Sequence, residues 1–309
     1  MTKFFKFLIL ISYFFAVQKL NSQPIIPCAI NQQSLHWKGY VAACMMFQNE
    51  ARYLREWLEY HKEIGISHFY LYNNASSDDF WLVLMPYVMK GEVELFDLHE
   101  KTANVHEHND LQRQVYNHAV SLAKGYYEWL AILDSDEFIC MTHQKNLRKF
   151  LKSYMYGTGL VVNWLMFGSS GIEKLGPNDL QIERFVHRAP DNWEEHFLYK
   201  SIVRPAYVIS ADIHTCTYHP DMPVYADHQK FSHTPTFAAP PIEEIRIHHY
   251  WWRDEDYFRR TKLPRRSGWL SKLTEEEVDA RRKIYNSIYD PSMVPFVEKV
   301  KKRIRKKIN

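Results

Sequence analysis

The residues with the clearest chemical potential stand in Ala131-Ile-Leu-Asp-Ser-Asp-Glu-Phe138. The apolar run Trp129 to Leu133 delivers two carboxylates, Asp134 and Asp136, into a turn. Carboxylates spaced in this way suit a hard divalent cation, Mn²⁺ or Mg²⁺, and leave positions open for phosphate oxygens. Such a cation neutralises the charge that builds on a departing diphosphate. The plainer alternative is an acidic strand end with solvated side chains. Asp-x-Asp alone decides little. Here it follows a buried-type strand, and two more polar clusters, Gln48-Asn49-Glu50 and Asn73 to Asp79, also follow apolar runs.

The elements that must position these clusters can be read from apolar spacing. Gly39 to Phe47 is an apolar run suited to a buried strand. Tyr53, Leu54, Trp57, Leu58, His61 and Ile64 recur at helical spacing, and Gly65 stops that helix. His68 to Tyr72 predicts a strand, Phe80 to Met89 a helix and Glu92 to Phe96 a strand. Leu111, Val115, Ala119 and Leu122 predict another helix before the strand that ends at Asp134. Strands alternating with helices imply a mostly parallel sheet covered on both faces, with ligands beyond the carboxyl ends of its strands. The three polar clusters fall at those ends and should converge on one crevice. After residue 140 the alternation weakens. Leu147 to Tyr154 reads as a helix, Gly159 to Phe167 as a strand, and residues 196–250 as short strands and loops. Thr274-Glu-Glu-Glu277 is a capping box that opens a helix to about Tyr289.

Composition narrows the class. The chain has 309 residues, 46% hydrophobic and 24% charged, as in ordinary globular proteins. Its formal net charge of +3 gives no basis for nucleic-acid binding. Aromatic residues reach 15%, a surplus that fills a core and also suits stacking on a nucleobase or a sugar face. Cys44 and Cys140 lie in apolar runs and read as buried free thiols. Cys216 and His219 lack a partner pair, so zinc is not expected.

Residues 4–17 are apolar except for Lys6 and Ser12. The stretch is shorter than the roughly 20 residues that span a bilayer. Residues 1–20 therefore read as a signal peptide or signal anchor, with membrane association through this segment, and residues 21–36 as a linker. The basic run from Lys299 to Lys307 reads as a solvated tail or a tether to anionic membrane.

The segments Phe47-Gln-Asn-Glu-Ala-Arg-Tyr-Leu-Arg-Glu-Trp-Leu-Glu-Tyr-His61 and Gly65-Ile-Ser-His-Phe-Tyr-Leu-Tyr-Asn-Asn-Ala-Ser-Ser-Asp78 resemble the opening of glycosyltransferase family 92 and its family 2-like relatives. Gln112, Tyr116-Asn117, Asp134-Ser-Asp-Glu-Phe138, Asn163 to Gly171, Lys200 to Pro205 and His248-His-Tyr250 continue the pattern in order. The resemblance implies an α/β, GT-A-type, Rossmann-like single domain over residues 37–262. A central, mostly parallel sheet is expected, with a helical basic tail at 263–309.

It also implies roles. Glu50 and Asp78 match nucleoside-binding positions, and Asn73 stands where relatives often carry Asp. Asp134 and Asp136 match the metal and diphosphate site, and His249 the late histidine that completes the metal shell, with His248 as its rival. Gly168, Ser169 and Ser170 resemble a small-residue turn near sugar and acceptor. Lys200 and Arg204 either neutralise phosphate or form ion pairs in the core. The implied reaction is an inverting transfer of a hexosyl group from a UDP-sugar, galactose favoured, to a glycan, polysaccharide or lipid-linked acceptor.

Inversion needs one carboxylate as base. Asp191 is the choice among Asp191, Glu194 and Glu195, beside Trp193 as a sugar platform. Glu137 is either a rival base or a brace for the metal loop. The site would face the Golgi lumen in a eukaryote and lie on the cytoplasmic side in a bacterium. Two other classes compete: a metal-dependent hydrolase or phosphodiesterase, and a non-catalytic carbohydrate-binding protein. His106, His108, His214 and His219 support the first, although no hydrolase spacing is present.

Overall fold

The computed structural model describes residues 18–19, 39–98, 102, 104–232, 239–265 and 272–308. Most of the expected N-terminal segment and all of the expected linker lie outside them. Among the described residues fourteen strands are defined. They are β1 (Gln18–Lys19), β2 (Gly39–Phe47), β3 (His68–Asn74), β4 (Val93–Leu98), β5 (Tyr127–Ile132), β6 (Glu137–Met141) and β7 (Gly159–Met166). Then follow β8 (His187–Arg188), β9 (Tyr199–Val203), β10 (Val208–Ala211), β11 (Cys216–Tyr218), β12 (Pro223–Tyr225), β13 (Ile245–His249) and β14 (Ile288–Tyr289). The longer helices are α1 (Ala51–Glu63), α2 (Phe80–Val88), α3 (Val105–Ala123), α4 (Glu275–Tyr285) and α5 (Val297–Ile308).

One sheet runs in the order β1-β4-β3-β2-β5-β9-β7-β13-β6, with β12 also on β7. Its first half is parallel: β4, β3, β2 and β5 all point the same way. In the second half β9 runs against both β5 and β7, and β6 runs against β13. The expected α/β architecture with a mostly parallel central sheet is therefore present, and the antiparallel strands account for the weakened alternation after residue 140. Gln18 and Lys19 pair with Phe96 and Asp97, so the expected boundary at residue 20 follows a strand of two residues.

The core explains the apolar spacing. Tyr53, Leu54, Trp57 and Leu58 of α1 are buried together with Met45, Phe69 and Trp129 from the sheet. Burying each large apolar side chain contributes about 1.5–3 kcal/mol. Ala42, Cys44, Tyr72 and Leu130 point to the opposite face and pack on Val115, Tyr116 and Ala119 of α3. Cys44, Cys140 and Cys216 are free and buried.

The tail differs from expectation. Helix α4 stops at Tyr285 rather than near Tyr289, because the Asn286 side chain turns back to bond Arg282 O (2.7 Å) and accepts from Ser170 N (2.6 Å). Ile288 and Tyr289 then pair with Arg188 and His187. Helix α5 is no frayed tail. Val297 and Val300 are buried, and Arg303 reaches Glu59 (2.9 Å) while Lys299 reaches Glu63 (3.0 Å), both on α1. Among the described residues no helix is long and apolar enough to cross a membrane.

Candidate active site

The parallel strands determine where the polar clusters go. β2 ends at Phe47 and β5 at Ile132, and register places Cys44 opposite Ile132. Leu133 N then bonds Cys44 O (3.1 Å), so Gln48 to Glu50 and Asp134 to Asp136 emerge side by side. β6 turns back from Asp136 and pairs with β13, which places His249 opposite Glu137. The result is a cavity of about 460 Å³ lined by Glu50, Asp134, Ser135, Asp136 and His249. Gln48, Asn74, His108 and Gln112 also line it, as do Trp164, Glu195, Leu198, His214, Trp251, Arg281 and Tyr285, and Lys262 and Arg265 border the space.

The carboxylates are held by cations. Lys200 Nζ, almost wholly buried, lies 2.8 Å from Asp134 Oδ2 and 3.9 Å from Glu137 Oε2. The register that sets Ala131 opposite Ile202 carries Lys200 to this place. Gln112 Nε2 and Tyr116 OH, one helical turn apart on α3, donate to Asp134 Oδ1 at 3.0 and 3.1 Å. Burial alone would raise the Asp134 carboxyl, but the Lys200 ammonium outweighs it and holds it below its usual range. Asp136 is buried against Lys262, and its Oδ1 lies 3.6 Å from His249 Nε2. Burial again acts upward, and Lys262 and His249 together hold Asp136 well below the usual range.

Glu137 is sealed from solvent and accepts from Asp134 N (2.8 Å). Burial and the neighbouring aspartates push its carboxyl up against the pull of Lys200. Glu137 is outside the cavity lining, and its bond to Asp134 N is the contact expected of a brace for the metal loop. His214, against Tyr199 O (3.0 Å), is lowered to about 4 by burial and Lys200 and stays neutral.

Glu50 is tied to Arg253, whose guanidinium is 2.6 Å away and fully buried. Arg253 stacks on Tyr53 (3.7 Å to the ring centre) and Tyr257 (4.6 Å), and donates to Gln181 Oε1 (3.0 Å). It thereby joins α1, the turn at Gln181 and the segment after β13.

Several sequence candidates lie elsewhere. Asn73 is outside the lining, and its neighbour Asn74 is part of it, because adjacent strand residues face opposite ways. The Asn73 amide donates to Asp97 Oδ1 (2.8 Å) and accepts from Ser76 N (3.0 Å). Asp78 Oδ2 accepts from Ala51 N (2.8 Å), so this carboxylate caps α1. Asp191 is exposed and paired with Arg188 (2.7 Å) outside the lining.

Trp193 packs edge-on to Tyr285 and does not reach the lining. Gly168, Ser169 and Ser170 form a socket under α4. Gly168 N donates to Tyr285 O (3.0 Å), Ser169 Oγ to Glu255 Oε1 (2.7 Å), and Ser170 N to Asn286. A Cβ on Gly168 would stand 2.5 Å from Asn286 Oδ1. Sequence reasoning gave no role to Gln112, Tyr116, Arg253, Lys262, Arg281 or Tyr285. The pairs 112/116 and 281/285 share helix faces, and this spacing was the available signal.

Among the described residues no group of three His, Cys, Asp or Glu side chains forms a preassembled metal cage. The donor set does fit a cation held by Asp136 and His249 and completed by substrate oxygens. Both side chains line the cavity with their polar atoms facing each other, and His249 Nδ1 is buried without a hydrogen-bond partner.

A sequence model of glycosyltransferase family 92 matches residues 39–238. A glycosyltransferase family 92 protein of Oryza sativa subsp. japonica is 24% identical over 297 residues, covering 89% of this chain and 47% of the relative. One from Arabidopsis thaliana is 29% identical over 189 residues, covering 56% and 30%. The chain spans less than half the length of these relatives. Among solved structures, S. aureus TarS aligns at 14% identity with a TM-score of 0.36, covering 54% of this chain and 47% of that one. A mannosyltransferase from Pyrobaculum calidifontis, in complex with GDP-Man and Mn²⁺, aligns at 14% identity and a TM-score of 0.31, covering 55% and 46%.

Proposed function

We infer the activity from one premise: the chain belongs to glycosyltransferase family 92. It transfers a hexosyl group, galactose favoured, from a UDP-sugar to an acceptor hydroxyl with inversion. The observation that carries this reading is the convergence of Glu50, Asp134, Asp136 and His249 on one cavity at the carboxyl ends of β2 and β5. A hydrolase reading is weaker, because the sequence carries no hydrolase spacing.

The roles follow from the contacts. Asp136 and His249 would hold Mn²⁺ or Mg²⁺, which supplies charge neutralisation for the departing diphosphate. Lys200 keeps Asp134 ionised and fixed, so the turn is preorganised before donor enters. Lys262 sits on Asp136 and borders the cavity, where it would add positive charge beside a developing diphosphate. Glu50, locked by Arg253, borders the nucleoside side. Trp164, Trp251 and Tyr285 make the cavity partly aromatic, as suits a glycan, polysaccharide or lipid-linked acceptor.

The test is binding of UDP-galactose, UDP-glucose and UDP-GlcNAc to the full chain by titration calorimetry, with and without Mn²⁺, alongside UDP release. Binding of one UDP-sugar that requires Mn²⁺ and is lost in Asp134→Ala, Asp136→Ala is the expected result. Binding of none, or binding unchanged in the variant, would remove the donor assignment.

A further inference from the structure

Four carboxyl side chains line the cavity: Glu50, Asp134, Asp136 and Glu195. Three are held by cations: Arg253, Lys200 and Lys262. Glu195 comes from another element, the short 3-10 turn Glu194–Phe197.

This turn has local causes. His196, beneath it, is buried and accepts from Met166 N (2.9 Å), which anchors the turn to the end of β7. Glu195 is then clamped from α4. Arg281 Nη1 lies 2.6 Å from Oε1, and Tyr285 OH donates to Oε2. Arg281 and Tyr285 are one helical turn apart, so a single helix face holds the carboxylate. Trp193 Nε1 donates to Oε2 from within the turn (3.3 Å). Burial acts to raise the Glu195 carboxyl, and Tyr285 and Arg281 outweigh it, so Glu195 is ionised at neutral pH. His196, the histidine of the turn, is lowered to about 4 by burial and carries no charge there.

The rival carboxyls lie outside the cavity lining: Glu137 is sealed beneath the Asp134 loop, and Asp191 is exposed beside Arg188. Resting on the glycosyltransferase reading above, we propose that Glu195 is the catalytic base, with Arg281 and Tyr285 of α4 as its positioning residues. Its carboxylate takes the proton of the acceptor hydroxyl as that oxygen bonds to the anomeric carbon. The bond from the anomeric carbon to the diphosphate oxygen breaks, the electron pair leaves on the diphosphate, and the proton stays on Glu195. The clamp comes from residues beyond 39–238, so the family-matched segment alone lacks part of the cavity lining.

The experiment uses the full chain and whichever UDP-sugar of the panel binds, with water as acceptor, reading UDP release across pH 4–8 and UDP affinity by calorimetry. Glu195→Gln should lower kcat by about 100- to 10,000-fold while leaving UDP affinity within about threefold. Glu195→Asp should recover part of the rate. Arg281→Met should move the acid limb of kcat/KM to higher pH, because the cation that keeps the base ionised is gone. Wild-type turnover in Glu195→Gln, loss of turnover in Asp191→Asn with Glu195→Gln active, or an unmoved acid limb in Arg281→Met would each overturn the assignment. Absence of UDP-sugar binding by the wild-type chain would instead defeat the donor reading beneath it.

Discussion

In the proposed reading the cavity has a donor wall and an acceptor wall, and the two are built differently. The donor wall rests on strand ends, and sheet register brings Glu50, Asp134 and His249 together. Its charges are compensated in place by Lys200, Lys262 and Arg253, each a side chain reaching in from a different element. The acceptor wall is made of a short turn and a late helix, held by side-chain contacts such as Arg281 to Glu195. A wall set by register tolerates little variation, since shifting one strand moves every residue on it. A wall set by a docked helix can be changed residue by residue. The contrast fits an enzyme whose donor chemistry is fixed and whose acceptor is adjustable.

Four substitutions break or sharpen that contrast. Asp136→Ala strikes the donor wall at its most compensated carboxylate. UDP release should fall about 1,000-fold, with donor affinity falling alongside it, unlike the separation of rate and affinity expected at Glu195. Lys200→Met removes the cation under the donor wall and leaves Asp134 uncompensated. A loss of about 3 kcal/mol in urea unfolding is expected, and a loss below about 1 kcal/mol would mean that the wall is not held electrostatically.

Glu56 joins α1 to the turn at Gln181 by accepting from Gln181 N (2.9 Å) and Ile182 N (3.0 Å). Burial raises its carboxyl to about 7 despite those bonds. A raised acid contributes stability below its unfolded value, and that contribution is lost as pH climbs through about 7. The stability difference between wild type and Glu56→Gln should therefore change by up to about 3 kcal/mol between pH 4.5 and 7.5, with wild type the one that weakens. A pH-independent difference would show that Glu56 does not titrate in this range. Lys299→Ala, on an exposed pair at the rim of α5, should alter stability by less than about 0.5 kcal/mol and leave UDP release unchanged.

The donor wall could be read in the sequence because it depends on local patterns. Apolar runs gave the strands, and the polar residues after them marked the carboxyl ends. Even there, Asn73 and Asn74 were not distinguished, because the side facing the cavity depends on pairing that no single segment encodes. Lys262 and Arg253 contact residues more than a hundred positions away, and spacing carries no trace of such contacts. The acceptor wall was hidden for a related reason. The capping box at Thr274 announced α4, but nothing in a solvated-looking acidic helix start tells which turn it will dock on. The basic run of α5 looked like a tail because the carboxylates it meets, Glu59 and Glu63, belong to a distant helix.

The missing side chain at Gly168 has a consequence for how this protein can be altered. Asn286 sits where a Cβ at Gly168 would stand, and Gly168 N holds the last turn of α4 through Tyr285 O. The glycine thus works as a hidden set-screw on the angle of a helix that brings Arg281 and Tyr285 to the cavity. Mutant libraries confined to residues that touch substrate would miss it, and a lineage adapting to a new acceptor could retune the wall from underneath while every contact residue kept its identity.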